Sequence, residues 1–183
     1  PPIDYDQRFI EQSAELLRAN HEARMFDLMR SGKPAPLGLK ARLGLKALFV
    51  DPWRHLIQEW PGGIGMLIRE RYYRRHLKSL GCNCLFGEGS VIDGPRNISI
   101  GDYVWIDQHV TMYAMVGSIH IGRRAHISPG VVISGLCEVF IDDYVGLSRG
   151  VMIFSHSEAP RAGKRMSGPM IPEEYKAMVS NGE

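Results

Sequence analysis

A surplus of either charge is missing from this chain: 22 Lys and Arg stand against 20 Asp and Glu, a formal net charge of +2. Nothing in that balance asks for a nucleic-acid partner, and no RNA- or DNA-binding motif occurs. Apolar runs approaching the roughly 20 residues of a membrane span are absent as well. The opening Pro1-Pro2-Ile3-Asp4 does not lead from a basic stretch into an apolar one, so no signal peptide is read and a cytoplasmic protein is expected. Cysteine is scarce. Cys82, Cys84 and Cys137 are odd in number, and the one C-x-C lacks a second pair or a neighbouring His. Reduced structural thiols are therefore expected rather than zinc ligands. The rest is ordinary globular composition, 44% hydrophobic and 23% charged. A chain of this length buries about 70% of its unfolded surface, which excludes general disorder.

Composition changes near residue 80. Before it, Phe9, Ile10, Leu16, Leu17, Met25, Phe26, Leu28 and Met29 recur mostly at three- and four-residue spacings, until Ser31-Gly32-Lys33-Pro34 stops the run. The spacing predicts one long amphipathic helix. Leu39 to Phe49 and Pro52 to Trp60 read as one or two shorter helices, and Pro61-Gly62-Gly63 precedes a third segment from Ile64 to Leu80. Between Arg69 and Lys78 lie five cations, Arg69, Arg71, Arg74, Arg75 and Lys78, against Glu70 alone, with Tyr72 and Tyr73 interleaved. Such a segment suits an anionic lipid surface, as at the inner face of a membrane, although a solvated helix face is the plainer expectation.

From residue 85 onward the sequence repeats. Phe86-Gly87-Glu88-Gly89-Ser90, Ile100-Gly101-Asp102-Tyr103-Val104, Ile121-Gly122-Arg123-Arg124-Ala125 and Ile141-Asp142-Asp143-Tyr144-Val145 share a five-residue frame. Three of these lead into a second hexad, Ile106-Asp107-Gln108-His109-Val110, Ile127-Ser128-Pro129-Gly130-Val131 and Leu147-Ser148-Arg149-Gly150-Val151. The apolar anchors form three series, 86, 106, 127 and 147; 92, 112, 133 and 153; and 100, 121 and 141, each with steps of 20 or 21. Three faces per turn follow, with a short inward-pointing strand on each and successive turns stacked about 4.8 Å apart. The predicted fold is mainly β, a three-sided prism of parallel strands behind a helical N-terminal segment. Its expected divisions are residues 1–80 (helical), 81–157 (prism) and 158–183 (loop and tail).

These motifs, over residues 85 to 157, resemble the hexapeptide-repeat acyltransferases. The resemblance implies a left-handed parallel β-helix. The phrase Gly94-Pro95-Arg96-Asn97-Ile98-Ser99-Ile100-Gly101-Asp102 is similar to members that acetylate sugars in polysaccharide and lipopolysaccharide synthesis. It implies acetyl-CoA as acyl donor, a sugar acceptor and a homotrimer with active sites between neighbouring prisms.

The repeat breaks after Ile153, where Phe154-Ser155-His156-Ser157-Glu158 opens a polar, basic stretch without a hexad. Family members extend a loop here with a His that takes a proton from the acceptor, and His156 matches it. Imidazole suits that task, because its ordinary pKa of about 6.5 leaves neutral base at cytoplasmic pH. Glu158, two residues on, is a carboxylate that would orient or stabilise the imidazolium, and by the same resemblance Asp107 and His109 line an acceptor pocket. On the residues alone, His109, His120 and His126 read as surface side chains, and Glu158 as an exposed carboxylate. Gamma-class carbonic anhydrases share this fold and hold zinc with three histidines across a subunit interface, but two of those lie five residues apart, and none of the seven histidines here is so spaced. No metal is expected. Family members resume hexads after the loop, whereas Ser167 to Tyr175 reads as loop, with room for a short helix, and the sequence ends at Glu183. A fragment lacking later coils is the expectation, the alternative being a shortened relative whose open edge neighbouring subunits or another protein cover, and no residue is assigned to CoA. Two alternatives stand beside sugar O-acetylation: N-acetylation of a nucleotide-linked amino sugar, and a non-catalytic scaffold.

Overall fold

The computed structural model describes Arg24, Met25, Leu28 and residues 31–155. The described residues fall into two units, one running as far as Leu48 and the other beginning at Phe49. In the first unit, Arg24, Met25 and Leu28 are helical; the rest of the long amphipathic helix expected there lies outside the described residues. A helix α1, Leu37–Phe49, starts on Pro36, whose carbonyl accepts from the N–H groups of Leu39 and Lys40.

Where the sequence allowed one or two helices over Leu39 to Trp60 there are two, α1 and a second that follows it after Val50. Helix α2, Asp51–Glu59, carries Pro52 in its first turn, where no N–H is needed, and it ends at an extended Trp60 because Pro61 follows. Helix α3, Gly62–His76, buries Gly65, Arg69 and Tyr73 at four-residue spacing. Gly65 is required there: a Cβ would stand 1.9 Å from the Trp60 carbonyl oxygen. The third segment, expected to reach Leu80, leaves the helix at His76. Its last residues join the prism instead, with the Lys78 N–H donating to Pro95 O and Ile98 O.

Among the described residues the prism holds twelve strands in three parallel four-stranded sheets. Strands β1 (Ser79–Leu80), β4 (Ile98–Ile100), β7 (Ser118–Ile121) and β10 (Glu138–Ile141) form the first. The second comprises β2 (Leu85–Phe86), β5 (Trp105–Ile106), β8 (His126–Ile127) and β11 (Gly146–Leu147). The third comprises β3 (Val91–Asp93), β6 (Thr111–Tyr113), β9 (Val132–Ser134) and β12 (Met152–Phe154). One strand from each sheet makes a coil, and the described residues form four coils. The three series of anchors pair as the period predicts: Phe86 with Ile106, Ile92 with Met112, Ile100 with Ile121. Leu80, paired with Ile100, extends the third series by one member. Phe86, Ile106, Ile127, Met112 and Ile133 are fully buried, each stabilising the fold by about 1.5–3 kcal/mol. Leu147 and Ile153, on the fourth coil, are only partly buried.

Two corners are set by left-handed backbone. Asn83, Tyr103, Arg124 and Tyr144 have positive φ where the first sheet passes to the second. At the corner from the second to the third, the same conformation falls on Gly89, His109, Gly130 and Gly150. At the first coil the core is closed by α3: the Tyr73 ring lies 4.8 Å from Phe86 and its hydroxyl donates to Ser90 O at 2.9 Å. Burial pushes the Tyr73 phenol up to about 12.

Candidate active site

Asp107 follows β5 directly, at the start of the corner that leads to the third sheet. Its Oδ2 lies 2.8 Å from His126 Nε2 on the next coil. The carboxylate is 18% exposed and the imidazole 48%. Trp105, which pairs with His126 across the two coils, sets its indole beside the imidazole with ring centroids 5.1 Å apart. A carboxylate on one imidazole nitrogen fixes the tautomer and leaves the other nitrogen to bond elsewhere.

His109, two residues on, turns the other way. Its ring lies over Gly89 of the preceding coil, so closely that a Cβ on Gly89 would stand 2.2 Å from His109 Nδ1. Asp107 and His109 therefore share a corner without bonding to each other. Asp107 reaches up to the third coil and His109 down to the first. Only His109 holds a left-handed conformation at a corner where the other three coils use glycine, a backbone state costing a non-glycine residue about 1–2 kcal/mol.

The stretch expected to carry catalysis leaves from a well-anchored point. The Ser155 N–H donates to Ser134 O at 3.1 Å, and its Oγ accepts from the Cys137 N–H at 2.9 Å. His156 is the next residue, and it and Glu158 lie outside the described residues. Ser155 stands at the corner from the third sheet to the first, so the whole third sheet separates it from the corner of Asp107 and His109.

Two features were not found by sequence reasoning. His126, read as a surface residue, is Asp107's partner. The signal was its 19-residue offset from Asp107, nearly one coil, which places the two side by side on neighbouring turns. The second is a cleft of about 630 Å³ on the outer face of the first sheet, where Ser79, Ser99, His120 and Phe140 form one column across the four coils. The rings of His120 and Phe140 stack 4.9 Å apart, and His120 Nε2 lies 3.1 Å from Ser118 Oγ. Asp142 and Asp143 border this cleft.

Arg69 corrects the expectation for the basic segment. It is 1% exposed, with its guanidinium donating to Phe86 O at 2.9 Å and to the carbonyls of Ile57, Gln58 and Trp60. Desolvation by burial lowers its pKa from the free value. Arg74 is engaged as well, by Glu70 and the carbonyls of Leu80 and Gly81. Arg71, Arg75 and Lys78 remain exposed. Among the described residues, Cys82, Cys84 and Cys137 are unbridged, and burial pushes the Cys84 thiol up. No three His, Cys, Asp or Glu side chains among the described residues gather as a metal site.

The chain is 38% identical, over 98 residues, to dTDP-4-amino-4,6-dideoxy-D-glucose acyltransferase from Escherichia coli, a match covering 54% of this chain and 50% of that protein. It thus spans about half the length of the curated relative it matches. No protein-family model matches the chain, and no solved structure does. Together with the three-sheet solenoid, the relative bears out the resemblance to hexapeptide-repeat acyltransferases.

Proposed function

We propose that this chain belongs to an acyltransferase, contributing a helical segment and four coils, that moves an acetyl group from acetyl-CoA to the amine of a nucleotide-linked amino sugar. The similarity over 98 residues to an acyltransferase named for such a sugar carries this reading, and the repeat architecture supports it. The sugar hydroxyl favoured by the phrase from Gly94 to Asp102 becomes the competing acceptor. Polysaccharide or lipopolysaccharide synthesis remains the proposed use, in the cytoplasm.

In the proposed reaction the acceptor nitrogen attacks the thioester carbonyl. The C–N bond forms, the C–S bond breaks, and His156 takes the proton that the nitrogen gives up and returns it to the departing thiolate. A positioned base of this kind contributes roughly 10²- to 10⁴-fold, and holding donor and acceptor together supplies further acceleration. Asp107, His109 and His126 hold the acceptor; Glu158 steadies the imidazolium. The corner of Asp107 and the departure of the chain at Ser155 lie on opposite edges of the third sheet. That separation favours a site completed by a neighbouring copy, as in a homotrimer.

The test measures thioester consumption by the protein as its own cell makes it, with its intact mass recorded. Acceptors are a nucleotide-linked amino sugar and its hydroxyl counterpart. The expected result is turnover with the amine and a fall of about a hundredfold or more in His156→Ala, with oligomer and circular dichroism unchanged. Turnover with the hydroxyl alone would overturn the choice of acceptor. Full retention of activity in His156→Ala would overturn the assigned base, and absence of turnover with every acceptor would favour the scaffold.

A further inference from the structure

Both helices beside the first coil keep large apolar side chains on the outside. On α3 the residues turned inward are Gly65, Arg69 and Tyr73. The opposite side carries Ile64 at 66% exposure and Leu67 at 69%, then exposed Arg71 and Arg75. At about 100° per residue these four fall within roughly 80° of one another. They make an outward stripe that begins apolar and ends basic, with exposed Lys78 just past the helix.

Helix α2 departs from a solvated face in the same way. Arg54 turns inward, donating to Ile92 O at 3.1 Å and pairing with Asp93 at 2.8 Å. Outward, Trp53 and Leu56 lie at i and i+3 with 68% and 44% exposure, and Trp60, extended just past the helix, is 41% exposed. A helix face left to water carries polar residues at such positions. The prism core does not need these side chains, since Tyr73 and Leu77 already close it.

The charge on α3 says what covers such a face. Residues 61–78 hold five cations and one acid, Glu70, which is tied to Arg74. Arg71, Arg75 and Lys78 make no ion pair among the described residues. No helix among the described residues is long and apolar enough to cross a membrane, so the face lies on its partner rather than through it.

We propose that the outward faces of α2 and α3 are a docking surface for an anionic lipid bilayer. Trp53, Leu56, Trp60, Ile64 and Leu67 enter the interfacial layer, where tryptophan and aliphatic side chains are favoured, while Arg71, Arg75 and Lys78 meet lipid phosphates. Arg69, central to the basic run in the sequence, takes no part because it is buried. This docking is independent of the acyl-transfer reading.

The test is co-sedimentation of the full chain with phosphatidylcholine vesicles, with and without phosphatidylglycerol. The expected result is binding to the anionic vesicles alone, released by salt. Each basic residue near an anionic surface strengthens binding about fivefold, so Arg71→Gln with Arg75→Gln lowers it about 25-fold. Ile64→Ser with Leu67→Ser lowers it about tenfold or more, whereas Arg149→Gln, on the fourth coil, leaves it unchanged. All these positions are exposed, and circular dichroism confirms that the variants fold. Equal binding to neutral vesicles, no binding, or indifference to both paired variants would overturn the proposal. So would self-association without vesicles, by sedimentation velocity, that Ile64→Ser with Leu67→Ser abolishes, because the face would then belong to a second copy.

Discussion

Asp107 and His126, one coil apart, hold each other at 2.8 Å on the outer face of the second sheet, with Trp105 against the imidazole. The bond spans two turns of the repeat, so it fixes an imidazole that neither turn alone would orient. Because the carboxylate is the more buried partner, removing it frees the ring, whereas removing the ring leaves the carboxylate without this partner.

If the pair holds the acceptor, Asp107→Asn and His126→Ala each raise the acceptor KM about tenfold or more, the scale of a hydrogen bond to a charged group. The KM for the acyl donor stays unchanged, and stability falls by about 1 kcal/mol or less, as for a partly exposed pair. Steady-state kinetics with both substrates varied make the check. A lowered melting temperature with unaltered acceptor KM would instead mean that the pair merely ties two coils together.

His109 makes an opposite prediction for stability and activity. Replacing it with glycine relieves a left-handed backbone worth about 1–2 kcal/mol and adds unfolded-state entropy worth about 0.4–1 kcal/mol. The expected outcome for His109→Gly is a gain of roughly 0.5–1 kcal/mol in urea denaturation, together with weaker acceptor use. A stabilised protein with unchanged kinetics would remove His109 from the acceptor pocket.

Arg69 satisfies three carbonyls at the end of α2 and one on the first coil. Arg69→Met leaves these acceptors in a closed space and costs about 3 kcal/mol or more. Gly65→Ala also destabilises, because the Trp60 carbonyl oxygen occupies the place of the new Cβ. Denaturant unfolding measures both. A loss under about 1 kcal/mol for Arg69→Met would show that water replaces the guanidinium easily.

Asp102 and Asp143 give the fold an acid-sensitive edge. Each accepts a backbone N–H from the preceding coil, Cys82 to Asp102 at 2.7 Å and Arg123 to Asp143 at 2.8 Å. These bonds are the main reason both carboxyls sit below their ordinary values. Folding therefore favours the ionised forms. The stabilisation is complete above the unfolded aspartate pKa of about 3.9 and is lost as pH falls through the lower folded values. Melting temperature measured against pH should fall more steeply below about pH 4 in the parent than in Asp102→Asn with Asp143→Asn. Superimposable profiles would mean that other carboxylates control acid unfolding.

What the sequence determined by itself is the prism. A large apolar residue every 20 or 21 positions in three interleaved series admits one arrangement of strands, and Phe86, Ile106 and Ile127 are buried on consecutive coils as that period requires. Local patterning was enough because each anchor's burial follows from its own place in the repeat. The tertiary structure decided what depends on two elements meeting. Arg69 reads as one of five surface cations until α2 supplies the carbonyls that bury it. Ser79 and Leu80 read as the end of a helix until Ser99 and Ile100 offer a strand to pair with. Asp107 and His109 read as neighbours, yet Asp107 bonds to the coil above and His109 packs on the coil below. In a stacked coil, side chains meet partners about 20 residues away, and which of them touch depends on side-chain direction and backbone sign at the corners, neither of which the spacing of apolar residues encodes.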